Sequence, residues 1–299
     1  MNLADVEAYL AVVELGSLQR AAARLGITQP GITRRIQSLE RELGTELLDR
    51  RAKPVRPSPS GMQIVGACRR LLQSAQALHQ HATDGEPRGE FRLGVAPGLA
   101  ETVLAEPLDR LRRAYPKLSL SISTAWTGEL LENVRAGGLQ AAIILRTDDV
   151  VAPSDRTIEV GTEDVVVAAA RGRALPPRAS LRDIPDVPWV LNPAGCGYRR
   201  NLQRAFDALG LAPRIAAEVV GRELQLSLVA RDLGLGLVPR RVLAQSRYRS
   251  RVRAVVLRDF ALRATIGVVR GADAGALTGA IEALADDVRK ALRATHSRR

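Results

Sequence analysis

The 299-residue chain has little of what builds covalent or metal-centred chemistry. It holds two cysteines, Cys68 and Cys196, and three histidines, His79, His81 and His296. Two cysteines make neither a disulfide framework nor a metal-ligand set, so no metal and no cofactor is expected. Cys196 is the best-placed nucleophile, at the start of an expected helix where a thiolate is stabilised. The histidines fall in a helical stretch before residue 83 and in the C-terminal tail, which disfavours a Cys–His enzyme. No apolar run approaches the ~20 residues that a membrane span needs, so no membrane partner is expected. No basic-then-apolar leader opens the sequence, and a reducing cytoplasm is the expected compartment. Lysine occurs only at 53, 117 and 290, so the net charge of +12 is carried almost wholly by arginine. With abundant alanine and only 3% aromatics, that reads as the bias of a GC-rich coding sequence. The positive charge is also spread along the chain, and supports a polyanionic partner only weakly. The length exceeds one ordinary domain, so two or more are expected.

What is present is concentrated between Ser17 and Gly61. Asn2 can cap a first helix with the apolar stripe Leu3, Val6, Leu10 and Val13, and Gly16 suits its end. Ser17 then caps a second helix, whose Ala21, Ala22 and Ala23 allow close approach of a neighbour, with Leu25-Gly26 closing it. Thr28 caps a third, and Pro30 falls in its first turn, where a missing N–H does no harm. Ile32, Ile36, Leu39 and Leu43 form one face of this third helix. Gln29, Thr33, Arg34 and Gln37 form the other, and Gly44 ends it. A guanidinium, two amides and a hydroxyl match the donor and acceptor pattern of the major groove, and Ser17 and Pro30 are expected to contact DNA with them. A polar helix face alone would be a solvated surface. The capped helix before it, the short turn and the basic segment behind it make a winged helix-turn-helix, whose partner is double-stranded DNA at a promoter or operator. The wing spans Arg50 to Pro57. Arg50, Arg51, Lys53 and Arg56 are cationic, Pro54 and Pro57 stiffen it, and such a loop lies on phosphates or enters the minor groove.

A long helical pattern follows from Ser58, an N-cap, and Pro59 to about Ala82. Ile64, Cys68, Leu71, Ala75, Leu78 and Ala82 alternate at heptad spacing. An amphipathic helix of this length either pairs two subunits or packs on its own domain. Residues 84–90 are polar and turn-rich, a hinge. From Phe91 short apolar runs alternate with helices: FRLGV, LSLSIST, AAIIL, VVVAAA, PWVLN, IAAEVV, LGLGLVP and TIGVVR read as strands, and Glu101 to Tyr115 and Gly128 to Gly137 as helices. This predicts parallel sheets with helices on both faces.

The chain resembles the LysR-type transcriptional regulators over its whole length. The resemblance rests on Ser17, Ala21-Ala22, Leu25-Gly26, Gln29-Pro30, Thr33-Arg34, Ile36, Leu39-Glu40, Leu43-Gly44 and Leu47-Leu48-x-Arg50. Further on it rests on Leu118 after Tyr115-Pro116, and on Leu228-Val229-Ala230 leading to Gly234-Leu235-Gly236-Leu237-Val238-Pro239. Leu48 stands where the family usually has Phe, Ser58-Pro59-Ser60-Gly61 where it has Leu-Thr-x-x-Gly, Ala141 where it often has Asp, and Asp232 where it often has Gly. The resemblance implies that the helix with Ile64, Cys68, Leu71, Ala75 and Leu78 pairs two subunits, with a tetramer as a dimer of dimers. It also implies a sensor that looks like a periplasmic binding protein, two lobes joined by two crossing strands, and RNA polymerase stands as a further candidate partner.

The expected fold is therefore a two-part α+β chain: a winged helix-turn-helix at 1–58, a linker helix at 59–83, a hinge at 84–90 and a two-lobed α/β effector domain at 91–299. Lobe I is placed at about 91–160 and 268–299, lobe II at about 161–267. A small-molecule effector, a small organic anion, belongs at strand ends and helix starts between the lobes. The contact residues are Pro97, Gly98 and Leu99; Thr127 and Gly128; and Gly195, Cys196 and Tyr198. Each glycine loop alone is an ordinary strand-to-helix turn; their joint placement carries the assignment. Any of Arg146, Arg199, Arg200 and Arg222 that faces the cleft would favour an anion. A redox-responsive regulator is the alternative, because Cys196 stands roughly where peroxide-sensing members carry their reactive cysteine, but no resolving cysteine follows it. An α/β enzyme ranks below both.

Overall fold

The computed structural model describes residues 1–82, 87–99, 104–147, 150–176, 179–272 and 274–297. Residues 84–86 of the expected hinge and the expected helix start at Glu101 lie outside the described residues, as do the side chains of His79, His81, Ala82 and His296. The chain divides into two compact units. One takes in Met1–Pro87 with the segments Asn133–Gln140 and Gly271–Leu277, and the other the remainder.

The first unit opens with α1 (Leu3–Leu15), α2 (Leu18–Arg24) and α3 (Gln29–Leu43). Their starts are local side-chain chemistry. Asn2 Oδ1 accepts from the Ala4 N–H at 3.0 Å, Ser17 Oγ from Arg20 at 3.3 Å and Thr28 Oγ1 from Gly31 at 3.2 Å, each satisfying an orphan donor of the first turn. Gly16 and Gly44 end α1 and α3 at φ 62° and 67°, in the left-handed region that an L side chain resists.

The core departs from the expected stripes in an informative way. α1 buries Val6, Ala8, Tyr9, Leu10, Ala11 and Val12, far more than one stripe, while Leu3 is exposed. It is the central helix, packed by α2, α3 and a fourth helix, so most of its circumference faces protein. Ala21 and Ala22 are buried but Ala23 is exposed, and Leu43 lies beyond the packed part of α3, whose buried residues are Ile32, Ile36 and Leu39. The wing is a small hairpin, β1 (Leu48–Asp49) antiparallel to β2 (Arg56–Pro57).

α4 (Pro59–Ala82) begins as expected. Ser58 Oγ accepts from the Gly61 N–H at 2.9 Å and donates to Glu46 O at 2.7 Å. Val65 and Cys68 are buried in the core of the first unit, with Ile64 and Leu71 partly buried against it, whereas Leu78 is 72% exposed. The seam is thus divided: its first half packs within the chain and Leu78 does not.

The second unit is built, among the described residues, on a nine-stranded sheet ordered β4-β3-β5-β11-β6-β9-β7-β8, with β10 added on β6. Its strands are β3 (Gly89–Val95), β4 (Leu118–Thr124), β5 (Ala141–Arg146), β6 (Thr157–Ala170), β7 (Trp189–Leu191), β8 (Ile215–Glu218), β9 (Leu235–Pro239), β10 (Val252–Val255) and β11 (Leu262–Arg270). Between them run α5 (Ala105–Ala114), α6 (Thr127–Arg135), α7 (Gly197–Asp207), α8 (Arg222–Val229) and α9 (Arg240–Gln245), and α10 (Thr278–Ser297) follows β11. Two parallel groups, β4-β3-β5 and β8-β7-β9, flank a central antiparallel pair, β6 and β11. The sheet is therefore mixed, not parallel throughout as the strand and helix alternation predicts. β11 pairs with β5 of the first group and β6 with β9 of the second, so this pair joins the two groups into one sheet. β10 and α9 go beyond the expected elements. Ala141 to Ile144 of β5 are all buried, as the continuous apolar run of a strand covered on both faces requires. Asp232, standing where the family often has Gly, takes φ 64°, a conformation that a short polar side chain tolerates. Arg173 holds it, donating from Nε to Oδ1 at 2.5 Å and from Nη2 to the carbonyl at 2.7 Å.

One glycine decides how α4 meets the first three helices. A Cβ on Gly61 would overlap Leu47 O and come within 2.8 Å of the buried Tyr9 hydroxyl. Gly61→Ala should therefore lower the stability of this unit by about 1–3 kcal/mol, the usual cost of overpacking. Urea unfolding of wild type and variant measures it, and an unchanged midpoint would sink the account.

Candidate functional site

Two surfaces carry chemistry, one in each unit. In the first, Gln29, Pro30, Arg34 and Gln37 are exposed and Thr33 is half-buried on α3, on the side opposite Ile32, Ile36 and Leu39. Thr33 Oγ1 donates to Gln29 O at 3.0 Å, while the Arg34 side chain makes no hydrogen bond or ion pair with any described residue. Ser17 is engaged as the α2 cap. On the wing, Arg51 and Lys53 extend exposed side chains. Arg50 differs from them. It pairs with Glu40 of α3 at 2.8 Å, and the other oxygen of Glu40 accepts from the Leu47 N–H at 2.9 Å. Arg50 and Glu40 thereby fasten the wing to the reading helix, a link that spacing along the chain does not reveal.

In the second unit a cavity of about 170 Å³ opens where the loops after β3, β4 and β7 meet the start of α8 and the end of β9. Pro97, Gly98, Thr127, Cys196 and Tyr198 line it. Leu99 does not; it is fully buried in the core behind the turn. Gly128 is exposed on α6 with open space where a side chain would go, and is not a lining residue. Gly195 stands just outside the lining. At φ 105° its backbone packs so closely on Trp126 that a Cβ would lie 3.0 Å from the indole. Each of these misplacements follows from how the backbone turns at that residue, which loop position along the chain does not specify.

Of the four candidate arginines only Arg222 lines the cavity. Arg146 pairs with Glu159, and Arg199 with Glu218. Arg222, the first residue of α8, is 9% exposed and lies across Gly98, where any Cβ would fall on its guanidinium. Its Nη2 is 3.7 Å from Oε1 of Glu163 on β6, too far for a hydrogen bond, and its buried Nη1 has no partner among the described residues. Glu163 is itself buried. Its Oε2 accepts from Arg241 Nε at 2.5 Å and its Oε1 from the Tyr198 hydroxyl at 3.1 Å. Burial, with the Glu163 charge beside it, pushes the Tyr198 phenol well above its ordinary range, so it stays protonated and donates. Arg241 is also buried, with Nη1 and Nη2 unpartnered among the described residues. One buried carboxylate thus faces two buried guanidiniums. Gln225 is fixed by donation to Val190 O at 2.8 Å, and Thr127 by donation to Leu145 O at 2.8 Å.

Glu163, Arg241, Gln225 and Trp126 escape a reading of the sequence. The available signals are a carboxylate pair, Glu163-Asp164, opening an apolar run, and a second arginine soon after Val238-Pro239. Cys196 caps α7, yet burial raises its thiol pKa and outweighs the opposing helix-start amides of Arg199 and Tyr198. It is held as a neutral thiol, which corrects the expectation of a stabilised thiolate. Among the described residues no group of three or more His, Cys, Asp or Glu side chains could hold a metal ion, and no helix is long and apolar enough to cross a membrane.

Residues 3–62 match the family model described as the bacterial regulatory helix-turn-helix protein of the lysR family, and residues 84–293 match the LysR substrate binding domain. The chain belongs to the LysR family of transcriptional regulators. It is 30% identical over 242 residues to the HTH-type transcriptional regulator CzcR of Bacillus cereus, covering 80% of each chain. Among solved structures it is similar to a full-length OxyR variant from Pseudomonas aeruginosa, with a TM-score of 0.76 at 22% identity over 97% of this chain and 95% of that one. It is also similar to full-length CbnR in complex with its target DNA, with a TM-score of 0.60 at 22% identity over 97% of this chain and 100% of that one. These structural likenesses show the fold. A LysR-family regulator with this architecture has a DNA-binding head and an effector-binding domain, so the α3 and wing surface and the cavity are the two places where function is to be sought.

Proposed function

We propose that this LysR-family regulator reads operator DNA through α3 and the wing, and that a small organic anion in the cavity controls that reading. The carrying observation is Arg222: a buried guanidinium that lines the cavity and donates no hydrogen bond to any described residue. A buried charge without a hydrogen-bonded partner is costly, and an anion would supply the partner. The backbone also favours an anion, because helix starts of α6, α7 and α8 gather at the cavity. A redox reading gains nothing from Cys196, whose thiol is buried and neutral.

On the DNA side, Arg34 is the base-reading residue, because it projects from the exposed face without an internal partner. Lys53 is a phosphate contact from the wing. Arg34→Ala should lower specific affinity by about 1–3 kcal/mol and relax preference at one or two base pairs. Lys53→Ala should weaken binding to all sequences and reduce the salt slope by about one unit. Isotherms on operator and scrambled duplexes over a salt series separate the two. Equal losses on both duplexes for Arg34→Ala would remove it from base reading.

Two half-sites require two copies, and the exposed Leu78 on α4 is the part of the seam left for a second subunit. Leu78→Glu leaves the buried core of the unit untouched and should shift sedimentation of the full chain toward smaller assemblies at micromolar concentration. An unchanged distribution would take Leu78 out of the pairing surface.

The effector reading is tested by a thermal-shift screen of small organic anions against their neutral amides. A binding anion should stabilise the chain by about 2.7 kcal/mol at a hundredfold excess over its dissociation constant, and should alter mobility of the DNA complex. Gly98→Val, which collides with the Arg222 guanidinium, should abolish the shift. A ligand that stabilises wild type and Gly98→Val equally binds elsewhere, and the site assignment falls.

A further inference from the structure

We propose that the cavity selects a monocarboxylate with a compact apolar body, and that the buried Arg222–Glu163–Arg241 group sets the charge it accepts. The inference rests on the effector reading of this cavity and makes it chemically specific. It starts from a count of charges: two guanidiniums and one carboxylate, all buried, leave one positive charge without a counter-ion. Arg200, whose charge acts on Cys196, is partly exposed, does not line the cavity and has interactions of its own, so it stands outside this count. One negative charge brought into the cavity neutralises the group. A second would be buried without a partner and would carry the desolvation penalty of an unpaired ion.

The geometry says where that charge goes. Arg241 is turned toward Glu163 through Nε at 2.5 Å and does not line the cavity. Arg222 does line it, and Glu163 is too distant to hydrogen-bond it. The planar donor fork of Arg222 is thus oriented by the charge of Glu163 and by the Gly98 backbone, and is open to a carboxylate. Glu163 and Arg241 are positioning residues; Arg222 makes the contact.

The remaining wall limits the body of the ligand. Trp126, Leu145, Leu237, Pro97 and Pro239 present apolar surface. The volume of about 170 Å³ is close to the ~150 Å³ of a dry apolar cavity that takes benzene. An apolar body of roughly six carbon atoms matches that space by the same comparison.

The test holds the carbon chain constant and varies only charge. Calorimetric titration of the full chain with hexanamide, hexanoate and adipate compares zero, one and two negative charges, and cyclohexanecarboxylate tests the compact body. Hexanoate should bind at least tenfold more tightly than either hexanamide or adipate, and cyclohexanecarboxylate at least as well as hexanoate. Arg222→Gln should weaken hexanoate by roughly tenfold to a hundredfold, the range for losing hydrogen bonds to a charged group. Arg241→Gln makes no change to the contact itself, yet lowers the net charge to zero, and should weaken hexanoate while leaving hexanamide unaffected. Glu163→Gln raises the net charge and should narrow the preference for hexanoate over adipate; circular dichroism and melting of each variant report whether it folds. If Glu163→Gln does not fold, the Arg241→Gln comparison decides the charge count alone. Equal affinity for hexanoate and adipate, with both weakened by Arg222→Gln, would overturn the charge count but leave the anion cavity standing. Hexanamide binding as well as hexanoate, insensitive to Arg222→Gln, would overturn both. No binding of any probe at millimolar concentration would overturn the compact monocarboxylate, and the wider anion screen would then judge the cavity on its own.

Discussion

The ladder between β6 and β11 is the constraint on which the cavity depends. It runs from Thr157 opposite Val269 to Val165 opposite Leu262, and the far half of β6 continues as the partner of β9 and β10. Side chains on a strand alternate between faces, so register decides what each face carries. On β6, Val165, Val167 and Ala169 enter one core, and Val166 and Ala168 enter another. Glu163 shares the parity of Val165 and is paired with Ala264 of β11. A slip of one residue would move its carboxylate to the opposite face, away from Tyr198 and Arg241. The ladder has one irregularity, between Ile266 and Gly267, where β6 accommodates an extra residue at Val160. That bulge lies before Glu163, so the register that places the carboxylate is set by the regular pairing beyond it.

The electrostatic arrangement at Glu163 is a poor way to stabilise a fold. Replacing a buried ion group with apolar side chains of similar volume is often neutral or favourable, whereas removing one partner leaves an unpaired charge and is strongly destabilising. The group in this chain is already incomplete: Arg222 Nη1 and both terminal nitrogens of Arg241 have no partner among the described residues. Such a departure from full satisfaction is what a binding site tolerates and a core does not. Tyr198 belongs to the same balance. Its phenol, kept protonated by burial, supplies Glu163 with a neutral donor at the oxygen that Arg241 leaves free. The carboxylate is thus held without adding further charge to the cavity.

What was legible in the sequence was what is local. Asn2, Ser17 and Thr28 act within three residues of themselves, so the helix starts could be read directly, as could the glycine ends at Gly16 and Gly44. The strand runs were legible by their apolar content, and the two crossing strands only through family resemblance. The misreadings share a cause. The stripe on α1 failed because a central helix is covered on most sides, and periodicity assumes one covered face. The loops of Leu99 and Gly128 reach the cavity, but one residue turns into the core and the other to solvent. Glu163 and Arg241 are 78 residues apart, and no spacing rule joins them. Arg222 was visible as one of four arginines near strand ends. Only the backbone of Gly98, far earlier in the chain, singles it out.

The chain's excess of arginine sharpens this reading. On a surface with so many guanidiniums, most carry no message. Arg24 pairs with Glu14, Arg112 and Arg113 with Asp109, Arg258 with Asp183 and Arg263 with Asp164, all solvent-exposed pairs that contribute little. Arg50 is committed to Glu40 and serves the shape of the wing. Positive charge becomes informative where the fold holds it in place and withholds a partner. Arg34 meets the second condition on an exposed helix face, where a major groove can supply base edges. Arg222 meets both inside a cavity, where no oxygen of the described residues reaches its buried Nη1. The two residues pose the same chemical question, a guanidinium awaiting acceptors, in opposite dielectric settings. Water competes for Arg34, so its contacts distinguish sequences by geometry. At Arg222 water is largely excluded, and the number of charges on the ligand is weighed as heavily as its shape.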